Sequence, residues 1–215
     1  MLVLTSGIYK GLKINAPDGA QTRPSAQRLR QAVMNVIRSY FGHTQNLSAL
    51  DLFAGSGAVG FELLSAGFQS VHFVENHFQT VRVLKKNMKR FAENAKTVQK
   101  TATQSLKWDA TLEEEDVLVF LTQDQTLKDQ RFDVIWADPP YDQGYFLKIL
   151  KILSKVPDAF LKSEGLFFFE ENADIPLLND EVYDLLKIAN LELMEVKKYG
   201  GSQVVILVRR MGEAT

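Results

Sequence analysis

Short runs in which nearly every position is apolar alternate along this chain with longer stretches in which apolar residues recur every three to four positions. Ala49 to Phe53, Val71 to Val74 and Phe132 to Ala137 are of the first kind, the pattern of parallel strands covered on both faces. Leu191 to Val196 and Val204 to Val208 flank Lys197-Lys198-Tyr199-Gly200-Gly201-Ser202 and read as a strand pair closed by a glycine turn. Helical spacing appears at Val59, Leu63 and Leu64. It appears again from Ser25 to Phe41, where Leu29, Val33, Val36 and Tyr40 would face inward, with Arg28, Arg30 and Asn35 elsewhere and Ser25 as the cap. His77 to Ala95 repeats the pattern through Val81, Leu84, Met88 and Phe91. Val3 to Thr5 and Ile8 to Ile14, joined through Ser6-Gly7, suggest a β-hairpin. Strands alternating with helices define an α/β chain.

The chemistry is concentrated where these elements meet. The run from Ala49 enters Asp51-Leu52-Phe53-Ala54-Gly55-Ser56-Gly57-Ala58-Val59-Gly60, so a strand, a tight turn and a helix follow one another. Glycines accept positive φ and let backbone N–H groups reach a ligand, and the helix behind them presents its N-terminus. Glu75 closes the next apolar run at the distance where an acid meets a ribose, and its carboxylate can accept from both ribose hydroxyls. Dinucleotide dehydrogenases use the same glycine spacing. A second motif, Asp138-Pro139-Pro140-Tyr141, stands at the carboxyl end of the Phe132 to Ala137 strand, where open α/β sheets place ligands. Both motifs are expected to open onto one crevice.

An exocyclic amine on a nucleobase is a poor nucleophile because its lone pair is delocalised into the ring, so an enzyme must hold it and aim it at an electrophilic methyl group. Asp138 can accept a hydrogen bond from such an amine, and a backbone carbonyl beside Pro139 offers a second acceptor. The paired prolines fix φ and stiffen the loop. Two acceptors favour the positively charged nitrogen that forms as the methyl arrives. Tyr141 would stack on the base, for about 1–3 kcal/mol. Asp138, Pro139, Pro140 and Tyr141 are therefore the expected catalytic motif, and no metal is expected. Two other classes fit parts of the pattern. One is an amino-methyltransferase for adenine in DNA or in another RNA; the other is a dinucleotide-dependent oxidoreductase or a cofactor-binding module without methyl transfer.

The chain resembles the RsmD-type family of ribosomal RNA guanine-N2 methyltransferases over nearly its whole length. The likeness rests on Ser6-Gly7-Ile8-Tyr9-Lys10-Gly11-Leu12-Lys13, on Thr22-Arg23-Pro24 followed by Arg28 and Arg30, on Asp51 to Gly60, on Asp138 to Tyr141, and on Gly165 to Glu170. It implies a Rossmann-like class I methyltransferase fold: a mostly parallel seven-stranded sheet with its last strand antiparallel, helices on both faces, and an N-terminal β-hairpin. The implied reaction is methyl transfer from S-adenosylmethionine to the 2-amino group of a guanine in small-subunit (16S) ribosomal RNA, met as naked RNA or as an assembly particle. The implied cofactor contacts are Asp51, Phe53, Ala54, Gly55, Ser56, Gly57, Gly60, Glu75, Asn76 and Thr103. Gln27 stands where the family pattern has an acid, and Thr101-Ala102-Thr103 replaces the usual polar or acidic pair that meets the adenine. The acidic stretch from Leu112 to Gln130 is longer than the corresponding family segment.

Composition narrows the remaining choices. The absence of cysteine removes disulfide frameworks, thiolate metal sites and cysteine nucleophiles together. His43, His72 and His77 have no metal-ligand spacing. No segment approaches the length of a membrane span and the start lacks a signal-peptide pattern, so the cytoplasm is the expected compartment; a monomer is the expected state. Net charge is −1, which alone argues against a nucleic-acid enzyme. Its distribution reverses that argument: residues 1 to 38 hold Lys10, Lys13, Arg23, Arg28, Arg30 and Arg38 against Asp18 alone, while acids gather at Glu113-Glu114-Glu115-Asp116. Lys10, Lys13, Arg23, Arg28 and Arg30 are the expected RNA contacts. Lys85-Lys86 and Lys89-Arg90 on the later helix read instead as a solvated face. Residues 1–24 are expected to form an RNA-recognition extension and 25–215 the methyltransferase domain. Lys197, Lys198 and Tyr199 would border the RNA entrance if the strand before them runs parallel to the others.

Overall fold

The computed structural model describes residues 1–16, 24–101, 107–123 and 130–210. The chain divides into two compact units, Met1–Glu114 and Glu115–Thr215. The first holds β1 (Leu2–Val3), β2 (Lys13–Ile14), α1 (Pro24–Phe41), β3 (Ser48–Leu52), α2 (Ala58–Ala66), β4 (Ser70–Val74), α3 (Phe78–Thr101) and β5 (Asp109–Glu113). The second holds α4 (Val117–Gln123), β6 (Phe132–Ala137), α5 (Tyr145–Leu153), β7 (Leu161–Asn172), α6 (Asp180–Ile188), β8 (Leu191–Tyr199) and β9 (Ser202–Arg209). β1 and β2 form a two-stranded ladder, and the other seven strands belong to one mixed sheet.

In the first unit the sheet order is β5-β4-β3, all parallel, with Asp51 opposite Phe73 and Val74 opposite Glu113. Ala49, Leu50, Leu52, Phe73 and Val74 are essentially inaccessible, so β3 and β4 are covered on both faces as their unbroken apolar runs require. β5 lacks such a run; it is an edge strand with alternating exposure, and the apolar pattern gave no sign of it. In the second unit the order is β6-β7-β9-β8. β6 and β7 are parallel, β9 is antiparallel to β7, and β8 is antiparallel to β9. β8 therefore runs parallel to β6, and the expected antiparallel last strand is borne out. Leu166, Phe167, Phe168 and Phe169 on β7 have no exposed surface and form the centre of this unit's core.

Three local expectations shift. The N-terminal ladder is only two residues on each side, pairing Leu2 with Ile14 and Val3 with Lys13; Leu4 N–H still donates to Leu12 O and Leu4 O accepts from Gly11 N–H, both at 2.9 Å, but Thr5 to Tyr9 turn to α2 instead. Thr5 N–H and Oγ1 donate to Glu62 Oε1 at 2.7 and 2.8 Å, Ile8 N–H donates to Ser65 O at 2.8 Å and Tyr9 N–H to Ser65 Oγ at 3.0 Å. On α1 the buried stripe is Leu29, Val33, Met34 and Ile37, rotated from the expected one, and Val36 and Tyr40 are half-buried. That rotation carries Arg30 inward to 8% exposure, with its Nε 4.0 Å from Oε1 of the buried Glu62, so Arg30 does not share the open face occupied by Arg28. Finally, α4 occupies part of the acidic stretch: Asp116 Oδ1 accepts from Leu118 and Val119 N–H at 2.9 and 3.2 Å, an N-cap that spends one of the acids on local structure. Among the described residues no helix is long and apolar enough to cross a membrane.

Candidate active site

The loop between β3 and α2 is built around two backbone constraints and two carboxylates. Phe53 leaves the strand at φ 58°, a left-handed conformation that costs a non-glycine residue about 1–3 kcal/mol and concentrates at ligand-binding turns. Gly57, at φ 80°, precedes the helix, and a Cβ there would stand 2.6 Å from both Leu84 Cδ1 and Phe61 Cε2. Gly60 packs directly against the Phe73 ring with no room for a methyl group. The second glycine thus supplies the turn and the third lets α2 lie close on β4.

Asp51 is 1% exposed, and its Oδ2 accepts from Gly60 N–H at 3.0 Å, satisfying a first-turn donor of α2. Burial pushes its carboxyl well above the usual carboxylate range; the Gly60 hydrogen bond opposes the shift and the nearby Glu75 charge adds to it. Glu75 is 9% exposed. Its Oε2 accepts from Gly55 N–H at 2.9 Å and its Oε1 from His77 N–H at 2.8 Å, which locks the carboxylate beside the glycine turn. An ionised carboxylate has about four acceptor positions, so both oxygens can still accept from a pair of hydroxyls. Ala54 N–H donates to Val74 O at 3.0 Å and Glu75 N–H to Glu113 O at 3.1 Å, bringing the carboxyl ends of β3, β4 and β5 together. Ala54 and Ser56 are buried, while Asn76 is exposed. Thr103 lies outside the described residues.

One residue of this site has no signature in the pattern of apolar positions. Asn87 on α3 is fully buried; its Nδ2 donates to Ser56 O at 2.9 Å and Asn15 O at 3.0 Å, and its Oδ1 accepts from Asn15 N–H at 2.8 Å. It joins the glycine loop, the N-terminal segment and α3. Its position, one residue before Met88 on the expected apolar stripe, is the only sequence trace it leaves.

In the second unit, Asp138 is exposed at the end of β6, Pro139 is buried beneath it and Pro140 is exposed. Tyr141 is half-buried; its hydroxyl donates to Glu170 Oε1 at 2.7 Å and is 2.9 Å from Ser202 Oγ. Burial, then the Glu170 charge, pushes that phenol far above its usual range, so it remains a neutral donor. Glu171, 1% exposed, accepts from Asp142 N–H at 3.3 Å and Asn172 N–H at 2.9 Å. Consecutive acids at the end of β7 therefore hold the tetrapeptide's exit, a role the sequence did not disclose for either. Ser202 opens β9 just past the Gly200-Gly201 turn, so that turn and Lys198, which is exposed, lie at the same end of the sheet as Asp138. Lys197 is paired with Glu195 at 3.1 Å. Of the expected RNA contacts, Lys10, Lys13 and Arg28 are exposed, Arg30 is buried as described, and Arg23 lies outside the described residues.

A mixed sheet of this order, with a glycine turn after its β3 strand and an acid ending the next, defines a Rossmann-like methyltransferase fold. Solved structures agree. A hypothetical protein of Thermus thermophilus superposes with TM-score 0.69 at 26% identity, covering 96% of this chain and 98% of its own. Precorrin-6y C5,15-methyltransferase of Geobacter metallireducens superposes with TM-score 0.58 at 16% identity, over 93% of this chain and 95% of its own, and so shares the fold. The chain belongs to the family described as Conserved hypothetical protein 95, whose model matches residues 2–208, and the resemblance to the RsmD type is borne out. Among its relatives, ribosomal RNA small subunit methyltransferase D of Haemophilus influenzae is 28% identical over 199 residues, spanning 91% of this chain and 92% of that protein. The protein of the same name from Escherichia coli is 26% identical over 172 residues, 80% of this chain and 75% of its own.

Proposed function

We propose that this protein transfers a methyl group from S-adenosylmethionine to the 2-amino group of a guanine in small-subunit ribosomal RNA, in the cytoplasm. The observation that supports this most directly is the buried Glu75 carboxylate fixed by Gly55 and His77 N–H groups beside a glycine turn, in a chain whose relatives are named for ribosomal RNA methylation. The donor set fits the cofactor. Glu75 has the acceptors for two ribose hydroxyls, the turn has backbone N–H groups without side-chain obstruction at Gly55, and Asp51 is a buried acid that a cationic amino group would relieve. Bound S-adenosylmethionine supplies an electrophilic methyl on a sulfonium, and no metal is required.

Asp138 and the backbone around Pro139 accept from the exocyclic amine and orient its lone pair. As the nitrogen gains positive charge, the carboxylate stabilises it; the proton is lost afterwards from an acidic ammonium-like nitrogen, so no separate general base is needed. Tyr141, its hydroxyl anchored on Glu170, offers a ring held in one orientation for stacking on the base. RNA is presented with the guanine unstacked, at a cost of a few kcal/mol.

Asp138→Ala tests the assignment. Methyl transfer to RNA should fall by about a hundred- to a thousandfold, the scale expected when a transition-state hydrogen-bond partner is lost. Calorimetry should show cofactor affinity nearly unchanged. An active Asp138→Ala enzyme would rule the scheme out.

A further inference from the structure

Between the N-terminal turn and α3, within the first unit, lies an open groove of about 370 Å³ whose lining among the described residues includes Tyr9, Lys10, Lys13, Arg90 and Asn94 and no acid. Lys10 and Lys13 are exposed and Arg90 is half-buried. Among the described residues none of these three cations is ion-paired. Several exposed cations elsewhere are neutralised: Lys85 by Glu114 at 2.5 Å, Lys151 by Glu181 at 2.8 Å, and Arg210 by Glu164 and Glu192 at 2.6 and 2.8 Å. The acids that gather at the end of β5 thus offset Lys85 and leave the groove's charge intact.

The groove's wall is rigid. Tyr9 is 4% exposed and its ring meets Phe91 edge-on at 4.7 Å, while Ser65 and Glu62 fix the backbone on the other side. Lys10 and Lys13 are thus presented from a fixed backbone, which leaves only side-chain freedom to be lost when an anion binds. Arg90 and Asn94 lie three and seven residues beyond Asn87, on the same face of α3. At 1.5 Å per residue they stand about 4.5 and 10 Å further along the axis from the side chain that holds Ser56 in the glycine loop. One helical face thus connects the cofactor turn to the groove.

We propose that this groove binds successive backbone phosphates of the RNA substrate, one each at Lys10, Lys13 and Arg90, about one helical turn from the residue that fixes the cofactor loop. The proposal rests on the RNA-methyltransferase reading and adds to it a site on α3, where the sequence pattern had indicated only a solvated face. Lys89 fits that solvated description; Arg90 does not.

The test is binding of the full chain to an unmodified small-subunit ribosomal RNA transcript across a salt series of about 50 to 200 mM. Each phosphate contact contributes roughly 0.7 to 0.9 to the slope of log affinity against log salt. Arg90→Gln should lower that slope by about one contact and K10Q/K13Q by about two. Arg90→Lys should restore most of it, cofactor affinity should stay unchanged throughout, and Lys151→Gln should match the wild type. Wild-type slopes in both Arg90→Gln and K10Q/K13Q, in a protein that still methylates RNA, would overturn the groove alone. The lysine variant keeps the test valid if Arg90→Gln folds poorly. A wild-type protein that binds this transcript without salt dependence and transfers no methyl would overturn the functional reading, and the groove with it.

Discussion

Glu75 and Asp138 are both acids at the carboxyl ends of parallel strands, yet their surroundings prepare them for different tasks. Glu75 is buried and each oxygen already holds a backbone N–H, so it is preorganised to accept further donors without moving. Glu75→Gln would turn an amide N–H₂ toward one of those donors. Cofactor affinity should weaken by about ten- to a hundredfold, since hydrogen bonds to a charged group contribute about 1.5–3 kcal/mol. A dissociation constant that did not move in calorimetry would remove the ribose assignment. Asp51 gives a pH signature instead. Its folded-state carboxyl is raised above the unfolded value, so the folded protein binds more protons, and stability falls as pH rises from the ordinary carboxylate range through the raised value. Without cofactor, Asp51→Asn keeps an acceptor for Gly60 N–H and has no charge to bury. Its urea midpoint should therefore gain on the wild type with rising pH, and a constant difference across pH would contradict the burial argument.

Elements differ in how plainly the chain encodes them. β3, β4 and β6 were legible because strands covered on both faces must be apolar at nearly every position, and the chemistry at their ends was legible because glycines and acids interrupt those runs. β5 was not, since an edge strand of Asp109-Ala110-Thr111-Leu112-Glu113 has no continuous apolar signal. α4, seven residues with five apolar ones in a row, has no helical period to read. The inward turn of Arg30 escaped because its partner Glu62 is distant in sequence and contact between the two is set by tertiary packing. Asn87 escaped for the same reason, and its role can be measured. Asn87→Ala leaves Ser56 O and both backbone polar groups of Asn15 without this partner. A loss of about 1–3 kcal/mol of unfolding free energy is expected in urea titration, with weaker cofactor binding because the glycine loop loses its tie to α3. Unchanged stability and affinity would show that the tie is dispensable.

Over the whole molecule, a net charge of −1 conceals a local separation of charge, and the structure gives that separation a physical form. Lys85 on α3, Lys151 on α5 and Arg210 just past β9 are offset by neighbouring acids, whereas among the described residues Lys10 and Lys13 stand unpaired beside Arg90. An enzyme of near-zero net charge can then bind RNA at one surface without general attraction to nucleic acid. The two compact units divide the proposed work: Met1–Glu114 carries the residues proposed to hold the cofactor and the basic groove, and Glu115–Thr215 carries the motif proposed to orient the amine, with Glu170 and Glu171 bonded to it. The most direct measurement is transfer of a labelled methyl from S-adenosylmethionine to ribosomal RNA and assembly particles from a strain deleted for this gene, followed by nucleoside analysis. N2-methylguanosine at a single position is the predicted result. A methylated adenine, or no transfer despite tight cofactor binding, would contradict it.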